Sequence, residues 1–281
     1  MLLSIASAAI SLIIVFLVVS LLCTTAQEFV AGLFSMRART LEATLEKMLD
    51  DDERTGLVDQ LYAHPLIKSL APSGRLPSYI PKDQFALAIH DMLTRGRALQ
   101  VGNVLPVFRI LMKEAGGDEV AFKKSVETWF DASMERAGGW YKRQTQRIVL
   151  TLGLVIAIGF NIDAMRIATA VASAPPAMQT DVVAEARRLV EQTNAQANLD
   201  TLTRLQIPFG WTKDYRVAGD AGPWTSAWLA AWIVAFAGWA MTALAASLGS
   251  QFWFGILVRF VNIRSAGNKP EETDAAKAKA G

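Results

Sequence analysis

Apolar residues are gathered into long runs along this chain. Leu2 to Thr24 is almost wholly apolar or small, Ile148 to Ile162 carries no charge, and Trp224 to about Leu248 carries none. A helix needs about 20 such residues to cross ~30 Å of hydrocarbon, so the three runs predict three transmembrane helices. The middle run is the end of a longer pattern. From Trp129 the chain reads WFDASMERAGGWYKRQTQR, amphipathic, with Lys142, Arg143 and Arg147 in its last turns, and then becomes IVLTLGLVIAIGFNI. That switch predicts one long helix, Trp129 to Ala170, leaving a polar domain and entering lipid.

Between the first two runs the pattern is that of soluble helices. Leu41, Leu45, Met48 and Leu49 share one helical face, and LYAHPLIKSL and PSYIPKDQFALAIHDML read as two short helices across a Pro-rich link. Pro81 suits a helix N-terminus with Asp83 in its first turn. Val104 to Ala115 predicts another helix, stopped by Gly116-Gly117. Beyond it, Phe122, Val126, Trp129, Phe130, Ala137, Trp140 and Tyr141 fall on one side of a helix and predict the stripe that closes this domain. The acidic run Asp50 to Glu53 lacks the alternating ligands and central glycine of a calcium loop, which predicts a solvated helix end and turn. His64, before Pro65, reads as a turn residue.

After the second run, Asn161, Asp163 and Arg166 form a polar cluster. From Arg147 to Asp163 is roughly 24 Å of helix, which takes Asp163 to the outer interface. There an interfacial ion pair with Arg166 is expected, and an ion-coordinating cluster is the alternative. Thr180 to Leu205 is polar, with Val182, Leu189, Leu199 and Leu202 as its sparse apolar positions, and predicts a modest external helix or hairpin. In the third run Ala227, Ala231, Gly238, Thr242, Ala245 and Gly249 form a seam of small residues where another helix can approach closely. That helix belongs to the same chain or to a second copy. The Trp224, Trp228, Trp232, Phe236 and Trp239 stripe lies beside the seam. Then SQFWFGILVRFVNIR sets Gln251, Gly255, Arg259 and Asn262 on one sector opposite an apolar face. It predicts an in-plane helix with Arg259 and Arg264 contacting the inner leaflet.

Charge adds orientation. Arg37, Arg39, Arg136, Lys142, Arg143, Arg147, Arg259, Arg264 and Lys269 lie near span ends on one side, against Arg166, Lys213 and Arg216 on the other. Basic residues concentrate in the cytoplasm, so this predicts the N-terminus outside and the C-terminus inside. The resulting architecture is an all-α membrane protein. Its segments are a first transmembrane helix (1–36), a cytoplasmic helical domain (37–146), a second span (147–172), a periplasmic helix and loop (173–223), a third span (224–248), an in-plane amphipathic helix (249–266) and a disordered tail (267–281). No secretory cleavage site follows the first run, so it is read as retained.

The chemistry-bearing residues exclude more than they suggest. A formal net charge of +2 gives no argument for nucleic acid. Cys23 is the single cysteine and His64 and His90 are the two histidines, which leaves no disulfide framework and no paired metal ligands. There is no phosphate-binding glycine loop, no Gly-x-Ser-x-Gly elbow, and no second aspartate inside a span to pair with Asp163. No catalytic, cofactor-binding or metal residue is expected.

The phrases LYAHPLIKSL, PSYIPKDQFALAIHDML, WFDASMERAGGWYKRQTQ, IGFNIDAMRIA and GSQFWFGILVRFVNIRSAGNKP, in this order around the runs, resemble an uncharacterised family of bacterial integral membrane proteins. The resemblance covers most of the chain and implies an inner-membrane location; no activity comes with it. Two functions are therefore expected. The first is a non-enzymatic anchor or scaffold docking an unknown protein partner through residues 37–146, with homo-oligomers possible through the seam. The alternative is a subunit of an oligomeric pore or transport complex, which the nearly unbroken apolar spans disfavour.

Overall fold

The computed structural model describes residues 2–51, 56–72, 74–94, 105–191, 197–213 and 215–266. Among these residues the chain forms helices and no strand. They divide into two compact units, Glu28–Gln146, and Met1–Gln27 with Arg147–Gly281. The expected tail, 267–281, lies outside the described residues, as do Asp52, Glu53 and Arg54.

Helix α1 is Leu2–Leu33 and α11 is Ser226–Ala246; both are long and apolar enough to cross a membrane. A third crossing is counted only if α7 (Glu119–Gly159) and α8 (Ala164–Ala172) are taken as one bent span. The expectation of a single helix from Trp129 to Ala170 is thereby corrected. Helix α7 ends at Gly159, Asn161 takes a left-handed φ of 47°, and α8 departs at 53°. The left-handed conformation cannot be propagated as a helix in L-residues, so the axis must change there.

The unit from Glu28 to Gln146 holds α2 (Met36–Met48), α3 (Leu57–Ala63), α4 (Pro65–Lys68), α5 (Lys82–Thr94), α6 (Leu105–Glu114) and the first part of α7. Its core collects one face of each: Leu41, Leu45, Leu61, Ile67, Phe85, Ile89, Phe108, Phe122, Val126 and Phe130 are all buried. Phe85 stacks on Phe130 with ring centroids 4.3 Å apart. Burying such side chains contributes about 1.5–3 kcal/mol each. Of the α7 stripe, Phe122, Val126, Phe130 and Ala137 are buried, while Trp140 is 45% exposed and carries the Lys47 ammonium 5.2 Å from its ring. Gly116 and Gly117 both have positive φ, which an L-side chain resists, and α6 stops before them.

Two polar details of this unit differ from the sequence reading or refine it. Asp51, expected in solvent, is 2% exposed and accepts a hydrogen bond from the Val58 amide, 2.9 Å, in the first turn of α3. It is buried because it satisfies an amide that the helix start leaves free. His64 caps α4: its Nδ1 accepts from the Leu66 amide at 3.3 Å, and its Nε2 lies 3.1 Å from Asp91 Oδ2.

The other unit is built around the middle of α1. Ile10, Ile13 through Val19, and Cys23 are buried in one core with Ile167 and Val171 of α8, Val182, Ala186 and Leu189 of α9 (Pro176–Glu191), Leu202 of α10 (Leu199–Arg204), and Leu257 and Val261 of α12 (Ser250–Ala266). Over this stretch α1 meets protein on its sides. The sparse apolar positions of α9 and α10 thus belong to the main core and not to a separate external hairpin.

Helix α12 differs from expectation in the same way. Trp253, Leu257 and Val261, spaced by four, face the core, and the Trp253 ring sits 4.8 Å from Phe16. This part of its apolar stripe is committed to protein, while Phe252, Phe254 and Phe260 stay exposed. Helices α9 and α12 also touch. These two helices come from the segments 173–223 and 249–266, which the sequence reading assigns to opposite faces of a bilayer.

The polar side of α9 is held by charge. Arg188 Nε and Nη2 donate to the Glu185 carboxylate at 2.8 and 2.5 Å, and Arg204 Nη2 of α10 lies 3.3 Å from it. The hydrogen bond from Arg188, then the fields of Arg188 and Arg204, hold the Glu185 pKa below its ordinary value. A depressed folded-state pKa stabilises the fold above the unfolded value of about 4.3 and is lost as pH falls through the folded value. Thermal unfolding of the protein in detergent is expected to show a drop in midpoint as pH is lowered past 4, and Glu185→Gln should flatten that limb of the curve. An unchanged limb in the variant would remove Glu185 as its source.

Candidate functional site

The break between α7 and α8 brings together Asn161, Asp163, Trp239 and Thr242. Asn161 is fully buried. Its Nδ2 donates to the Gly210 carbonyl at 3.1 Å and its Oδ1 accepts from Trp239 Nε1 at 3.2 Å. Backbone groups freed by the break find partners nearby. The Ile162 amide donates to the Ala157 carbonyl at 2.7 Å, the Gly210 amide to Phe160 at 2.6 Å, and Trp211 Nε1 to Ile158 at 2.8 Å. Thr242 donates to the Ile162 carbonyl at 2.8 Å. In an apolar setting each unpaired group would cost several kcal/mol, so this set of bonds is what makes the break tolerable.

Asp163 caps α8. Its Oδ1 accepts from the Met165 and Arg166 amides at 2.9 and 3.1 Å, and the residue is 4% exposed. The expected ion pair with Arg166 does not form; the Arg166 guanidinium lies instead over the Tyr215 ring, 3.7 Å from its centroid. The cause is local: as N-cap, Asp163 turns its carboxylate onto backbone amides, away from the side chain three residues on. Its depth also differs from the sequence reading. The carboxylate touches Gly238, which lies twelve residues after Ser226 and eight before Ala246 along α11. That is about 18 Å and 12 Å from the helix ends, near the middle of α11.

The seam is used in part, and by the same chain. Gly238 and Thr242 are buried against the α7–α8 break, and the Ala245 carbonyl accepts from Trp253 Nε1 at 2.6 Å. Gly249, at φ 91°, forms the turn into α12. Ala231 is half-buried and Ala227 is exposed. The face that packs is rotated from the one expected: Ala235, Gly238, Trp239, Thr242, Ala243 and Ala246 are the buried residues of α11. Gly153 of α7 meets Ala243 so closely that a Cβ there would stand 3.2 Å from its Cα. Arg259 is exposed on α12, and the side chain of Arg264 lies outside the described residues.

Family models, curated proteins and solved structures return no match to this chain. The sequence marks Gly210 and Trp211 only as part of the loop QIPFGWTKDYRVAGDAGP, with Trp211 expected at the headgroups, and places Trp239 on the aromatic stripe; their bonds to Asn161 and Ile158 are not legible there. The available signal was the i, i+4, i+7 spacing of Ala235, Trp239 and Thr242.

A second feature lies in the unit from Glu28 to Gln146. A cleft of about 340 Å³ is floored by Leu41, Ile80, Phe130 and Met134 and rimmed by Arg37, Tyr79, Asp131 and Tyr141. Tyr79 is 72% exposed at its edge. Hydrogen bonding to Tyr141 pushes the Arg37 pKa up, and Lys82, 2.5 Å from Asp131 Oδ2, is raised by that partner. Among the described residues no group of three or more His, Cys, Asp or Glu side chains is placed to hold a metal ion.

Proposed function

We propose that this protein is a non-enzymatic anchor or assembly scaffold of a bacterial inner membrane that presents residues 37–146 to a protein partner on the cytoplasmic side. The observation that carries the reading is the cleft of the Glu28–Gln146 unit. An apolar floor inside a polar rim, with an exposed tyrosine and an arginine hydrogen-bonded to Tyr141 at its edge, has the make-up of an interface hot spot. The orientation, N-terminus out and C-terminus in, is supported by the nine basic residues against three. With α12 on the inner side, the contact between α9 and α12 supports an inner position for α9 as well, where the sequence alone assigns 173–223 to the periplasm.

The test is a crosslinking pull-down from membranes, comparing the unaltered protein with Tyr79→Ala combined with Arg37→Glu. Loss of specific partners in the variant, with its unfolding midpoint kept, is the expected result. Recovery of the same proteins by both would end the docking idea.

The alternative, a subunit of an oligomeric pore or transport complex, is favoured by one observation: Asp163 sits near the middle of α11. Against it, Asn161 bonds Gly210 and Trp239 and Asp163 Oδ1 takes two amides of α8, so both are engaged with the protein itself. Ion flux through liposomes carrying Asp163→Asn decides: a flux altered by the substitution moves the reading to the pore.

A further inference from the structure

A cavity of about 560 Å³ lies between α1, α9 and α12, away from the break and from the cleft. Leu17, Leu21 and Thr25 form one wall, a single stripe of α1 at spacings of four. Leu189, Ala197 and Phe254 complete the apolar lining. The polar members are Thr25, Ser250 and Gln251. Along α1 the wall therefore passes from leucine to threonine, and Ser250 and Gln251, the first residues of α12, also line the cavity. The Gln251 amide and the Ser250 hydroxyl make no hydrogen bond among the described residues, and Thr25 donates only to the Leu21 carbonyl, 3.1 Å.

We propose that this cavity holds the acyl chain of a membrane lipid, with Thr25, Ser250 and Gln251 toward its headgroup end. The volume falls in the ~300–1,000 Å³ range of ligand sites, and an apolar space of this size takes up hydrocarbon more readily than water. The order of polarity along α1 is that of a lipid, apolar and then hydrogen-bonding, which a water-filled recess does not require. Leu21 is 38% exposed and Phe254 42%, so the walls are open on the side from which a lipid would enter. The inference rests on the membrane location proposed above and not on the scaffold role.

The experiment uses the full chain in vesicles of phosphatidylethanolamine and phosphatidylglycerol carrying a trace of lipid with a photoactivatable diazirine in its acyl chain. Crosslinked peptides are mapped after irradiation. The expected result is labelling of Leu17–Thr25 and Ser250–Phe254 several-fold above that of the exposed α11 residues Ile233 and Phe236. Leu21→Trp should abolish that excess while leaving α11 labelling unchanged; Ala197→Phe, which fills the opposite wall, is the second variant should the first fail to fold. Cavity labelling no higher than that of α11, labelling indifferent to both fillings, or a protein–protein crosslink across the cavity in place of lipid would overturn the proposal. Labelling of α11 reports insertion separately, so its absence would sink the membrane location itself.

Discussion

Gly238→Ala is expected to lower the stability of the helical unit around α1 by about 2–3 kcal/mol, although alanine favours the helix in which it stands. A Cβ at position 238 would overlap the Asp163 carboxylate, whose Oδ1 is held by two amides of α8. The carboxylate cannot yield without uncapping α8, and α8 cannot retreat without drawing the Ile162 carbonyl away from Thr242. Asp163→Ala alone should cost about 1 kcal/mol, the worth of a typical cap. The double variant separates the two causes. If steric conflict is the main term, Gly238→Ala with Asp163→Ala will be more stable than Gly238→Ala by itself, a coupling that independent sites do not show. Thermal unfolding followed by tryptophan fluorescence in detergent reads all three, and additive losses would show that the two residues do not meet.

Much of the helical content follows from periodicity, and the reason it stops short is visible in particular residues. In the unit from Glu28 to Gln146, apolar positions alternate with charged ones. The buried faces of α2, α5 and α7 can therefore be read from Leu41 and Leu45, Phe85 and Ile89, and Phe122, Val126 and Phe130. The stop at Gly116-Gly117 carries its own chemistry, since glycine takes positive φ at no steric cost. Inside the apolar runs that contrast disappears. Along α11 nearly every side chain is apolar, so the pattern marks small residues without saying which of them meet a neighbour. Ala227 and Ala245 look alike in sequence, and one is exposed while the other is packed. A helix face can be inferred locally, but its partner is a long-range fact.

The break shows the same limit. Phe160 to Asp163 contains no proline or glycine to mark it, and the apolar run continues through Ile162. What ends α7 is an asparagine able to take the left-handed conformation, followed two residues later by an aspartate able to cap α8. Both residue types have these capacities at many positions where they are not used. Here the choice is made by Gly210 and Trp239, 49 and 78 residues away, which supply the acceptor and the donor for Asn161. The pairing of α9 with α12 is equally non-local.

Asn161→Leu is therefore expected to be the more damaging of the two substitutions, costing on the order of 4 kcal/mol or more. The buried Trp239 indole N–H and the half-buried Gly210 carbonyl would lose their partners, at roughly 1–3 kcal/mol for each. The left-handed backbone at φ 47° adds ~1–2 kcal/mol for a residue without a polar side chain. Two companions resolve these contributions. Asn161→Gly keeps the backbone and loses the hydrogen bonds; Asn161→Ala loses both but fits the space. The order of stability should be asparagine, then glycine, then alanine, then leucine. Trp239 provides a second readout, because release of its N–H and contact of its ring with water shift its emission to the red in Asn161→Leu. If leucine at 161 proved as stable as glycine, neither the φ nor the hydrogen bonds would be holding α7 and α8 apart, and the continuous helix from Trp129 to Ala170 would again be the better description.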